Sequence, residues 1–119
     1  MKKALVAFSM ITFIFYSCSK NNSTGGGTGP APLDCNTVTA KAYAADISPI
    51  IQASCTASGC HAIGSANGPG ALTTYSQIFN ARSVIRAAVS SGLMPQGSTL
   101  TTSQKNSILC WIDSGAPEN

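Results

Sequence analysis

The chain has 119 residues, 44% of them hydrophobic and 9% charged, with a formal net charge of +3. This length holds at most one domain, and without a basic patch interleaved with aromatics the chain does not read as a nucleic-acid binder. A domain this small is expected to need a staple: a disulfide, a metal or a buried cofactor.

At the N-terminus, Lys2 and Lys3 precede an uncharged apolar run, Ala4 to Tyr16 (ALVAFSMITFIFY). The run is too short for a bilayer-spanning helix, which needs about 20 residues. It reads as the apolar region of a secretory signal. Ser17 and Cys18 end it. This resembles a bacterial lipoprotein signal, in which a small residue precedes the cysteine that becomes lipid-modified. Phe15 and Tyr16 depart from that pattern, where Leu and a small residue are commoner. The resemblance implies a signal peptide over residues 1–17 and a lipid anchor on Cys18. The alternatives are an ordinary cleaved signal or an uncleaved anchor, with Cys18 incidental.

Ser19 to Leu33 (SKNNSTGGGTGPAPL) is rich in Ser, Asn, Gly and Pro. Such a segment cannot bury a core. Residues 18–33 are therefore expected to form a flexible tether with a reach of ~20 Å, as suits a domain held off a membrane. Ser19 is not the Asp that favours inner-membrane retention in lipoproteins of this kind. The same resemblance thus points to the outer membrane of a bacterial envelope, facing the periplasm or the surface. Beyond the signal, Lys20, Lys41, Arg82, Arg86 and Lys105 oppose Asp34, Asp46, Asp113 and Glu118, leaving +1. The periplasm permits disulfides, and Cys35, Cys55, Cys60 and Cys110 remain after Cys18.

The folded part, residues 34–119, reads as all-α, with no segment alternating as a strand. A first helix is expected from about Ala45 to Ser54, with Asp46 as N-cap and Pro49 in the first turn. Ile47, Ile50, Ile51 and Cys55 share its apolar stripe. The Gly- and Pro-rich stretch Ala62 to Thr73 is loop. Thr74 and Gln77 form a capping box. It opens a helical region to about Ser91, with Ile78, Ile85 and Val89 buried and a break near Asn80. Gly92 suits the position just past a helix end. A second capping box, Thr101 to Gln104, opens the last helix. Ile108, Trp111 and Ile112 form its apolar face, and Gly115 and Pro117 end it.

Chemistry concentrates in SCTASGCHA, Ser54 to Ala62: Cys55 and Cys60 flank four small residues, and His61 follows directly. Four readings compete. Two cysteine sulfurs can add to the two vinyl groups of a haem, with the adjacent histidine under the iron. The familiar spacing for that is C-x-x-C-H. The spacer Thr56-Ala57-Ser58-Gly59 is two residues longer and must loop out; its small residues and Gly59 permit this. The second reading is a Cys55–Cys60 disulfide beside a surface histidine. The third is a zinc site, which would also need Cys35 or Cys110. The fourth is a redox thiol pair, which usually wants C-x-x-C at a helix N-terminus, whereas Cys55 follows a helix. Met94 favours the haem. It is the one methionine beyond the signal, it lies in a loop before the last helix, and low-spin c-type haems take His and Met as axial ligands. The alternative is a methionine filling a core gap.

Together ADISPIIQASC, CTASGCH, LTTYSQI, LMP and ILCWIDSGAPEN, in that order from about Lys41 to Asn119, resemble a small monohaem cytochrome c-like lipoprotein of Gram-negative bacteria. The resemblance implies haem c held by Cys55, Cys60 and His61, with Met94 as distal ligand. It also implies an all-α fold in which the first and last helices pack beside the haem. Cys35 and Cys110 are then left over. A bridge between them would tie the tether's end to the last helix, contributing ~4 kcal/mol in the chain-entropy model; the alternative is two buried free thiols.

Arg82 and Arg86, one turn apart, either pair with haem propionates or form a solvated face. Trp111 is expected in the core rather than as a haem hydrogen-bond donor. Asp113 reads as a surface charge. No Ser–His–Asp set or carboxylate pair is present, so no enzyme and no small-molecule substrate are expected. The expected function is single-electron transfer to redox protein partners. The alternatives are a haem-free binding or structural module of the same fold with a Cys55–Cys60 disulfide, and a haem sensor or peroxidase in which Met94 does not ligate.

Overall fold

The computed structural model describes residues 32–119. The expected signal peptide, the lipid-anchor residue Cys18 and nearly all of the tether lie outside the described residues. Within them the fold is all-α: three α-helices and no strand. A π-helical turn, Tyr43–Ile47, runs directly into α1, Ser48–Cys55; α2 is Tyr75–Ser91 and α3 is Thr102–Asp113.

The first helix begins earlier than its sequence suggests. Pro49 has no N–H to give, and a proline ring crowds the carbonyl four residues back. The turn ahead of it is correspondingly wide. The Ile47 N–H reaches the Ala42 carbonyl at 3.2 Å, and the Ser48 N–H reaches that of Tyr43. Asp46 is therefore not the N-cap. It sits inside the first turn, and its carboxylate accepts from the Ala42 N–H at 2.9 Å.

Both predicted capping boxes form. Thr74 and Gln77 open α2, and Thr101 and Gln104 open α3, each with reciprocal side-chain bonds. There is no break at Asn80. The buried stripe Ile78, Ala81, Ile85, Val89 continues past it, and Asn80 itself is exposed, so its weak helix propensity meets no opposing contact. Gly92 ends α2 at φ 76°, a backbone region that favours glycine.

Helix α3 packs against α2 and against the Tyr43–Ile47 turn. From Ser107 to Ile112 it is buried on every side, the pattern of a central helix. Trp111 is fully buried, and its indole N–H donates to the Pro117 carbonyl at 2.9 Å, which removes the cost of hiding that donor. Tyr43 lies edge-on to Tyr75, centroids 4.9 Å apart, and 5.7 Å from Trp111. The segment after α3 folds back across this cluster. Tyr75 donates to the Ala116 carbonyl at 2.9 Å, and Asn119 accepts the N–H groups of Tyr43 and Ala44. Cys35 and Cys110 are joined by a disulfide across 75 residues. Closing a loop this long is worth ~4 kcal/mol. The bridge ties the start of the described chain to the most buried stretch of α3.

Candidate functional site

Bordering this core lies a cavity of about 440 Å³, within the range of small-molecule and cofactor sites. Leu72 and the α2 residues Val84, Ile85, Ala88 and Val89 make its apolar wall. Cys55, Cys60, His61 and Met94 all line it, and no carboxylate, lysine or arginine does.

The Cys55–His61 segment is built by local hydrogen bonds. Helix α1 delivers Cys55 as its last residue. The spacer then folds into a turn: the Cys60 N–H donates to the Ala57 carbonyl at 2.9 Å, with Gly59 at φ 83°. The His61 N–H donates to the Cys55 carbonyl at 3.0 Å. That bond closes the loop at its base, so the extra residues stand out while both cysteines return to one wall.

His61 is 93% buried by area, with 7% exposure. Its Nδ1 lies 2.8 Å from the Gly70 carbonyl oxygen. A carbonyl only accepts, so Nδ1 carries the hydrogen, and Nε2 of the neutral ring keeps its lone pair. This is the arrangement in which a histidine ligates a metal through Nε2 with its other nitrogen fixed by a backbone carbonyl. The His61 carbonyl in turn accepts the Leu72 N–H at 2.9 Å, pinning the main chain as well as the ring.

Loop residues 62–70 complete the support. The Asn67 amide donates to the carbonyls of Gly59 at 2.7 Å and Cys60 at 3.2 Å. The Ser65 hydroxyl also donates to the Cys60 carbonyl. Cys55 and Cys60 are both free thiols. Burial, and secondarily the nearby Cys60, pushes the Cys55 thiol above its ordinary range. A thiol held neutral in this way is a poor nucleophile for disulfide exchange.

Met94 reaches the same cavity from the loop after α2. Gly92 turns the chain, and the Met94 N–H donates to the Ala88 carbonyl at 3.2 Å, holding the residue against the end of α2. Met94 is half-buried in the cavity wall and stands outside the hydrophobic core cluster, unlike a gap-filling methionine.

Other candidates fall elsewhere. Arg86 forms a two-point ion pair with Asp113, at 2.6 and 2.9 Å. Arg82 lies 4.0 Å over the Phe79 ring and donates to the Phe79 carbonyl. The Lys105 ammonium donates to the Ser90 carbonyl. None of the three lines the cavity. Zinc would have needed Cys35 or Cys110, and those two are bonded to each other. No group of three or more His, Cys, Asp or Glu is placed for a metal among the described residues.

Asn67, Ser65 and Gly70 were legible in the sequence only as loop. A Ser and an Asn shortly after the Cys-His motif are residue types that tie back to nearby main chain. Which carbonyls they reach depends on the fold.

Comparison of the chain with protein-family models, with curated proteins and with solved structures found no match, so its function is read from the geometry of this cavity.

Proposed function

We propose that this chain is a membrane-tethered c-type cytochrome that carries single electrons. The supporting observation is the sharing of one apolar cavity by Cys55, Cys60, His61 and Met94, with the His61 Nδ1 hydrogen committed to Gly70. Cys55 and Cys60 would hold the haem through thioether bonds, each thiol adding its sulfur and its hydrogen across one vinyl group with no oxidant consumed. When bound, the haem supplies a ferric–ferrous couple. His61 would hold the iron through Nε2 and Met94 through its thioether. An iron held by both residues would keep no position for a substrate, which would distinguish an electron carrier from a peroxidase or sensor. The apolar wall of α2 excludes water, which together with Met/His ligation favours a raised potential. Cys18 anchors the chain to the bacterial outer membrane, where the domain meets its redox protein partners. Cys18→Ala releases the protein from membranes; continued retention with normal signal removal contradicts the anchor.

The test is a visible absorption spectrum of the full chain made with a working haem-attachment system. A strong Soret band that survives acid–acetone extraction is expected. A colourless protein with a Cys55–Cys60 disulfide would instead support the haem-free binding module.

A further inference from the structure

One molecule here holds two cysteine pairs in opposite states. Cys35 and Cys110 are bridged, while Cys55 and Cys60 stand as free thiols in the same cavity wall. The spacer between the latter is short, flexible in composition and half-exposed to exposed.

The only side-chain bonds to the Gly59 and Cys60 carbonyls among the described residues come from Asn67 and Ser65. Asn67 is the centre of this arrangement. Its amide grips Gly59 and Cys60, and its main-chain N–H donates to the Ser65 hydroxyl. Its own carbonyl accepts the Gly70 N–H. Gly70 is the residue whose carbonyl holds the His61 ring. One residue therefore links the second thiol, through its side chain, to the histidine, through its main-chain carbonyl. The Asn67 amide thus holds the turn from which the Cys60 side chain projects.

We propose that Asn67 is a positioning residue that keeps Cys55 and Cys60 as two separate thiols, each available for its own attachment. This deepens the haem reading, but its first consequence is measurable without haem. In a glutathione buffer, closure of Cys55–Cys60 forms one sulfur–sulfur bond, releases two thiol hydrogens and reduces one glutathione disulfide to two glutathiones. Loss of two hydrogen bonds to the open form is expected to raise the closure equilibrium by about tenfold. Asn67→Ala and Asn67→Asp should behave alike. The aspartate keeps the size and turn preference of asparagine but, when ionised, cannot donate to carbonyls.

The experiment uses the full chain made without haem attachment, equilibrated across glutathione ratios, alkylated and read by mass spectrometry at each cysteine. The parent should remain open at ratios where both variants close, with Cys35–Cys110 bridged throughout. An unchanged closure equilibrium in Asn67→Ala overturns the proposal. So does an Asn67→Asp that matches the parent, because turn preference rather than donation would then be at work. In protein made with haem attachment, the alkaline pyridine spectrum should report more singly attached product in both variants than in the parent. If the parent takes no haem, the cytochrome reading fails while the closure measurement still decides the role of Asn67.

Discussion

The packed α3 side of the molecule and the cavity are built by different rules, although Leu72, Ile85 and Val89 belong to both. On the α3 side, Trp111, Ile47, Ile108 and Cys110 are 0–1% exposed, the indole N–H is paired, and a disulfide closes the assembly. On the cavity side the walls are loops and one helix face. Glycines take left-handed conformations at Gly59, Gly70 and Gly92, and Val84 and Leu93 are 55% and 64% exposed although they line the cavity. One face is a packed core with little to gain from any ligand. The other leaves apolar surface open, which a bound group would cover. Trp111 belongs only to the core and Met94 only to the cavity wall, so substitutions at the two should behave differently.

The strongest challenge to that separation is Trp111→Ala. Removing a fully buried indole should cost about 5 kcal/mol, and chemical denaturation should show it as a large fall in midpoint. A loss near 1 kcal/mol would mean that the α3 face is less tightly packed than its burial implies. Replacing both Cys35 and Cys110 by Ala should cost about 4 kcal/mol through the freed 75-residue loop. Haem attachment measured under folding conditions should be unaffected, because neither residue lines the cavity. Loss of attachment in a folded double variant would tie the two faces together.

Met94→Ala sharpens the comparison from the other side. A half-buried side chain on a cavity wall should contribute about 1 kcal/mol to stability. In haem-loaded protein the same change should lower the reduction potential and admit carbon monoxide, as measured by redox titration and gas binding. An unchanged potential would exclude Met94 as axial ligand. The smallest effect belongs to the surface. Arg86, by hydrogen bond foremost, holds the Asp113 carboxyl below its ordinary range. The pair's contribution is therefore present above the ordinary carboxylate value of ~3.9 and is lost as pH falls below it toward the depressed folded value. Thermal melts of the parent should show a slight acid-side loss that Asp113→Asn lacks and that salt reduces. A pronounced acid transition would place the sensitive group elsewhere.

Features carried by neighbouring residues were legible in the sequence. Thr74 with Gln77 and Thr101 with Gln104 are three apart, and a capping box needs nothing more distant. Asp46 and Asn80 show where such reading misleads. Asp46 has the residue type of an N-cap, but Pro49 widened the turn and moved the helix start to Tyr43. Asn80 has the propensity of a breaker, but the stripe around it is buried without interruption. Arg86 carried two possible partners in the sequence, and only the approach of α3 to α2 brought Asp113 within reach.

By itself the sequence determined the three helices, their starts at the two capping boxes, the loop character of residues 62–73 and the order Cys55, Cys60, His61. These follow from interactions a few residues long. Tertiary structure alone decided that Met94 shares a cavity with that motif, that the Gly70 carbonyl sets the His61 tautomer, and that Asn67 grips Gly59 and Cys60. Each of these depends on where separate loops come to rest against α2. That is set by the burial of α2 and α3 side chains against one another, a sum of long-range contacts that no local spacing encodes.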